Sequence, residues 1–160
     1  MPSIAYSREI PLAAQSLHQA VADVLDAFAG RSRTDALLLS APVHGTTGKL
    51  SIPVELTVTK RSPKDSSVGV TLRARSAEAA FPHFQGAFYA LPMSPSRAVL
   101  SLKGKYTVPL GFFGLAINAA GMKRVAEEGL RDLFERVADE TVAVVREASF
   151  QRYREGRTLS

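Results

Sequence analysis

The sequence predicts an α+β fold: a curved antiparallel sheet wrapped around one long C-terminal helix, with a shorter helix near the N-terminus. Three observations point there. Apolar residues recur at helical spacing over Leu17–Phe28, at strict alternation through the middle of the chain, and again at helical spacing from Met122 to about Arg152. Successive alternating segments joined by short turns imply an antiparallel meander. The last helix needs a broad apolar surface to lie on, and only the sheet offers one.

Ile4 to Ile10 forms an opening strand, closed by Pro11. In AAQSLHQAVADVLDAFAG, the residues Leu17, Val21, Val24, Leu25 and Phe28 share one face of a helix. Ser16 with Gln19 resembles a capping box, with a start two or three residues earlier as the alternative, and Gly30 is the expected stop. RSRTD is a polar link.

The period then changes. ALLLSAPV is a short apolar strand and HGTTGK a turn. In KLSIPVELTVTK, Leu50, Ile52, Val54, Leu56 and Val58 face inward, opposite Ser51, Glu55, Thr57 and Thr59. Pro53 marks an edge position or a bulge, because proline lacks the N–H a ladder needs. After the turn SPKDSS, the residues Val68, Val70, Leu72 and Ala74 point in while Arg73 and Arg75 point out. FPHFQGAFYALP is apolar on both parities and its faces stay unassigned. After MSPS, the residues Ala98, Leu100, Leu102, Gly104, Tyr106 and Val108 share a face, with Ser101, Lys103, Lys105 and Thr107 opposite. That makes six strands.

In the final helix, Val125, Ala126, Leu130, Leu133, Phe134, Val137, Thr141, Val142, Val145 and Ala148 form the apolar stripe. Glu127 with Arg131, and Asp132 with Arg136, supply four-residue charge pairs on the wet side. Residues 1–154 read as a single domain and 155–160 as a flexible basic tail.

Bulk composition narrows the function classes. The 160 residues suffice for one domain with a sizeable core, and 46% hydrophobic with 22% charged is a globular balance. Cysteine is absent, which excludes disulfides and thiolate metal sites and fits a cytoplasmic location. MPSIAYSREIP lacks the pattern of a signal peptide. The longest nearly uncharged run, Thr107 to Met122, is sixteen residues, broken by Pro109 and three glycines. A spanning helix takes about 20 apolar residues, so no transmembrane segment is expected. Net charge is +5, but the basic residues are dispersed, without interleaved aromatics, and nucleic acid is not an expected partner. Arg152, Arg154 and Arg157 form the only concentration, consistent with weak contact to an anionic surface. Monomer and homodimer are both compatible with the sequence.

The order strand, helix, five strands, long helix resembles the START-like (SRPBCC, helix-grip) superfamily, which includes lipid-transfer domains, plant pollen allergens, coenzyme-Q-binding proteins and polyketide cyclases. IAYSREIPLAAQSLHQAVADVLDA is similar to its opening strand and first helix. FQGAFYALP with SRAVLSLKGKYTVPLGFFG is similar to its paired late strands, and GMKRVAEEGLRDLFERVADETVA to its closing helix. Departures are the absence of a clear second short helix, which only RSRTDA could supply, and six strands where the family often has seven.

The resemblance implies a cavity between sheet and long helix, holding a hydrophobic small molecule without any cofactor. The residues expected to line it are Tyr106, Phe84, Phe88, Gln85, Tyr89, Phe112, Phe113, Asn118, Met122 and Leu102. Tyr106, Asn118, Gln85 and Tyr89 are its candidate polar groups, each with a backbone-satisfied buried residue as the alternative. The four phenylalanines are expected mainly to pack the core. Phe112, Phe113, Leu115 and Ile117 are expected to form a lip over one cavity end.

Chemistry is sparsely provided. His18, His44 and His83 lie far apart without metal-ligand spacing, so no metal is expected. Gly45 to Lys49, GTTGK, lacks the P-loop spacing and reads as a hairpin turn. The acidic residues of the last helix belong to a solvated face. Three functions follow in order: a binding or carrier protein for a lipid, isoprenoid/quinone or aromatic polyketide; a cyclase/aromatase-like enzyme with Tyr106, Gln85 and His83 converging on one cavity; and a protein- or ribosome-interaction module.

Overall fold

A computed structural model describes residues 2–34, 37–42, 48–75, 82–107 and 119–158. The chain order is β1 (Ser3–Ile10), α1 (Ala14–Ser32), β2 (Leu38–Pro42), β3 (Lys49–Ser62), β4 (Ser67–Ala74), β5 (His83–Ser94), β6 (Arg97–Thr107) and α2 (Ala119–Thr158). The six strands form one antiparallel sheet in the order β1-β6-β5-β4-β3-β2. Both helices pack against its inner face, and the predicted α+β architecture is the observed one.

The alternating patterns settle which face is which. Ile52, Val54 and Leu56 of β3, with Val68, Val70 and Leu72 of β4, are buried. In β5, the segment without legible parity, Phe84, Phe88 and Ala90 point inward. In β6, Ala98, Leu100, Leu102 and Tyr106 do. From α2, Val125, Ala126, Leu130, Leu133, Phe134, Val137 and Ala138 complete the core. A fully buried aliphatic or aromatic side chain contributes about 1.5–3 kcal/mol, so this layer outweighs any surface ion pair in holding α2 to the sheet.

Several local expectations change. Ser16 makes no cap: α1 begins at Ala14 behind an uncapped Ala13. Gly30 does not stop it either. The helix continues to Ser32, whose buried hydroxyl donates to the Ala29 carbonyl (2.7 Å) and accepts from the Leu56 N–H (3.0 Å). That bond ties the end of α1 to β3, and no second short helix follows among the described residues.

Pro53 sits neither on an edge strand nor in a bulge. Its carbonyl accepts from the Arg75 N–H (3.1 Å), so its missing N–H also faces β4, at the point where β4 ends. The bulge lies at Thr59, between Val58 and Lys60. α2 runs past Arg152 to Thr158, through most of the stretch expected as a basic tail. The HGTTGK turn falls largely outside the described residues, and Val108 does entirely.

Edge strand β2 is held by α2 through its backbone. The Asp132 carboxylate accepts from the Ser40 N–H (3.0 Å), and Arg136 donates to the Leu38 carbonyl. An unpaired strand edge is a template for aggregation; these two side chains tie it to the helix.

Candidate functional site

Among the described residues, the concave face is divided between closely packed aromatics and one unsatisfied polar group. Phe84 pairs with Tyr106 and Phe88 with Leu102 across β5 and β6. Between those pairs lie Gly86 and Gly104, directly opposite each other. A Cβ on Gly86 would meet the Phe84 ring at 2.5 Å and the Lys103 carbonyl at 2.3 Å; on Gly104 it would meet the same ring at 2.6 Å. The Phe84 ring therefore lies flush against a window of bare backbone. Phe134 reaches from α2 to stack on Phe88, with ring centroids 6.4 Å apart, and its ring centroid lies 6.0 Å from that of Tyr6.

Tyr106 is 1% exposed, and its hydroxyl finds no hydrogen-bond partner among the described residues. An unsatisfied buried hydroxyl costs about 1–3 kcal/mol, so such a group in an apolar face calls for an explanation. The Tyr6 hydroxyl, by contrast, is satisfied: it donates to the Glu127 carbonyl at 2.6 Å, and Arg131 lies over its ring. Burial pushes the Tyr106 hydroxyl above the ordinary tyrosine value, and the negative charge of Glu127 adds to the shift. Burial also raises Tyr6, against the opposing charge of Arg131. Both groups are neutral donors at physiological pH. Tyr106 lies near the end of β6, within electrostatic reach of Glu127 of α2 and next in sequence to residues 108–118.

The expected lining residues separate into three sets. Tyr106, Phe84, Phe88 and Leu102 are together on the concave face, all buried. Gln85 and Tyr89 are on the opposite, convex face, because β5 alternates and Phe84 and Phe88 take the inner parity. Gln85 and Tyr89 join His83, Lys103, Lys105 and Thr107 around a shallow depression of about 520 Å³. Phe112, Phe113 and Asn118, with the expected lip residues Leu115 and Ile117, lie outside the described residues, as does the side chain of Met122. His83 and Gln85 thus face away from Tyr106, and the convergent set required by the cyclase reading is not formed.

The remaining candidates resolve simply. His18 is half-buried and its Nε2 lies 3.1 Å from the Ser67 carbonyl, to which it must donate; His44 is outside the described residues. No group of three potential ligands among the described residues could hold a metal ion. No described helix is long and apolar enough to cross a membrane. Sequence reasoning missed Ser32, Asp132 and Ser101. Ser101 is a second buried hydroxyl without a partner among the described residues, placed on the outward parity between Ser7 and Tyr89. Nothing in the local pattern distinguishes these from solvated polar residues.

No protein-family model and no curated protein matches the sequence. Solved structures do match in fold. Norcoclaurine synthase from Thalictrum flavum aligns over 91% of this chain and 87% of its own, with a TM-score of 0.54 at 12% identity. A START superfamily protein from Mycobacterium smegmatis aligns over 91% and 98%, at 0.50 and 13%. The chain has the START-like, helix-grip fold. Ara h 8.0201, at 8% identity, covers 91% of this chain and 99% of its own with a TM-score of 0.53. Identities this low establish the START-like architecture alone. Among the described residues the chain has six strands.

Proposed function

We propose that this START-like chain binds a small hydrophobic ligand, a lipid, isoprenoid quinone or aromatic polyketide, between the concave sheet face and α2. The Tyr106 hydroxyl is its polar anchor. The observation that carries this reading is that hydroxyl: buried, neutral, without a partner among the described residues, and set in an otherwise apolar surface. Ligand sites combine apolar lining with a few placed polar groups, and a ligand carbonyl or hydroxyl would satisfy Tyr106. Phe84, paired with Tyr106 across β5 and β6, supplies the apolar surroundings of that hydroxyl. Binding and transport fit this lining better than catalysis, since a general acid–base needs a group aimed at the reacting atom and His83 and Gln85 are on the other face.

Native mass spectrometry after mild purification, followed by a thermal-shift series of lipids and quinones, tests the proposal. A co-purifying small molecule, or a rise in Tm with one ligand class, supports it. No bound mass and no shift with any class would overturn it.

A further inference from the structure

One end of the molecule is built unlike the rest of its surface. Among the described residues six large hydrophobic side chains are strongly exposed, and five are at this end: Leu91 (41%), Met93 (57%), Val144 (42%), Phe150 (56%) and Tyr153 (63%). They come from two separate parts of the chain. Leu91 and Met93 belong to the β5–β6 hairpin, which flanks the end of β1 through the Ile10–Ala98 pairing. Met93 is the bulged residue there, between Pro92 and Ser94. The others belong to the far part of α2. An apolar groove of about 450 Å³ joins Ile10, Pro11 and Leu12 to Val142, Val145, Phe150 and Tyr153.

This part of α2 is a projecting helix. At 1.5 Å per residue, forty residues of helix extend about 60 Å, whereas the eleven residues of β6 span about 36 Å. From Val142 through Glu155 no described side chain is buried. Sequence alone gives the last stretch four arginines, Arg146, Arg152, Arg154 and Arg157, against Glu147 and Glu155. The Arg154 guanidinium lies 4.8 Å from the centre of the Phe150 ring.

We infer that this end docks on an anionic lipid surface. Aromatic side chains exposed beside arginines are the groups that settle at a membrane interface, the rings at headgroup depth and the cations on lipid phosphates. Charge complementarity favours that occupant over a second copy of the chain. Two such ends would bring arginine clusters together on molecules that already carry +5 each. The docking end is also distinct from the Tyr106 end: Tyr106 lies by the start of β1, its N–H donating to the Pro2 carbonyl, whereas the groove is at Ile10. The inference is independent of the proposed ligand.

Sedimentation with phosphatidylcholine vesicles, with and without phosphatidylserine, provides the test. The chain should bind the mixed vesicles, release from them as salt rises, and leave the neutral ones in solution. Arg146→Glu with Arg152→Glu should weaken binding at least about tenfold, given the contribution of each basic residue near such a surface. Phe150→Ser with Tyr153→Ser should weaken it too, and since all four residues are exposed, thermal melts should be unchanged. Absence of binding to mixed vesicles, binding indifferent to both double variants, or equal binding to neutral vesicles would overturn the inference. So would a dimer in sedimentation equilibrium that Phe150→Ser with Tyr153→Ser dissolves, which would assign the surface to a second copy.

Discussion

Phe134 of α2 stacks on Phe88 of β5, with 13° between ring planes and both rings withdrawn from solvent. This contact joins the helix to the centre of the sheet. Phe134→Ala should lower stability by about 3–5 kcal/mol, the usual cost of emptying a buried aromatic site. A double-mutant cycle with Phe88→Ala should leave a coupling of about 0.5–1.5 kcal/mol. Additive losses in urea denaturation would show that the rings do not interact.

The glycines should respond oppositely to alanine according to what a Cβ would meet. At Gly86 and Gly104 it would strike backbone carbonyls and the Phe84 ring at 2.3–2.6 Å. Backbone cannot move aside cheaply, so either substitution should cost about 1–3 kcal/mol or more. At Gly30 no atom of the described residues lies within 4 Å and the position is inside α1. Gly30→Ala should therefore stabilise by up to about 1 kcal/mol. Thermal melts of the three variants check both signs.

Removing the Asp132 carboxylate should loosen β2 selectively. Asp132→Ala leaves the Ser40 N–H without its acceptor and takes away a partner of Arg136. The expected cost is about 1–3 kcal/mol, nearer the lower end because water can reach this edge. Hydrogen exchange should show faster exchange at Ser40 and little change in β5 or β6. Unchanged protection at Ser40 would contradict the assigned clamp. By contrast Arg8, half in water beside Glu135 and Asp139, should contribute no more than about 1 kcal/mol through those pairs.

Stability should fall in alkali through the tyrosines. Tyr6 and Tyr106 have folded-state pKa values raised above the ordinary value of 10.0. Above that value the unfolded chain loses these protons while the folded chain keeps them, so the unfolded state binds fewer protons and stability declines with rising pH. The contribution is fully present below pH 10 and is lost as pH climbs through the folded-state values. Ultraviolet titration should show late-ionising tyrosines, one of which disappears in Tyr106→Phe. Ionisation of Tyr106 at the ordinary value would contradict its burial.

The long-range plan was legible because burial imposes period: Val68, Val70 and Leu72 alternate, and Leu130, Leu133, Phe134 and Val137 recur by turns. Where both faces of a strand are apolar that signal vanishes, which is why Gln85 and Tyr89, expected inside, lie outside. The Gly86–Gly104 window was also hidden, since it depends on the register of two strands. Tyr106 was legible as an inward residue on β6. Its lack of a partner among the described residues is a property of the assembled core and could not be read locally. Ser32 ends a helix and also clamps β3, and a serine in a polar link gives no hint of that.

The most direct measurement compares native chain and Tyr106→Phe in binding menadione, an apolar quinone whose carbonyls can accept a hydrogen bond. Removing an unpartnered hydroxyl should leave the unliganded protein as stable as before or more so. Losing the one hydrogen bond to the quinone should weaken binding by about 0.5–1.5 kcal/mol, roughly two- to twelvefold in Kd. Equal affinity in the two proteins, or destabilisation of the free chain by Tyr106→Phe, would contradict the assignment of Tyr106 as the anchor of a ligand cavity.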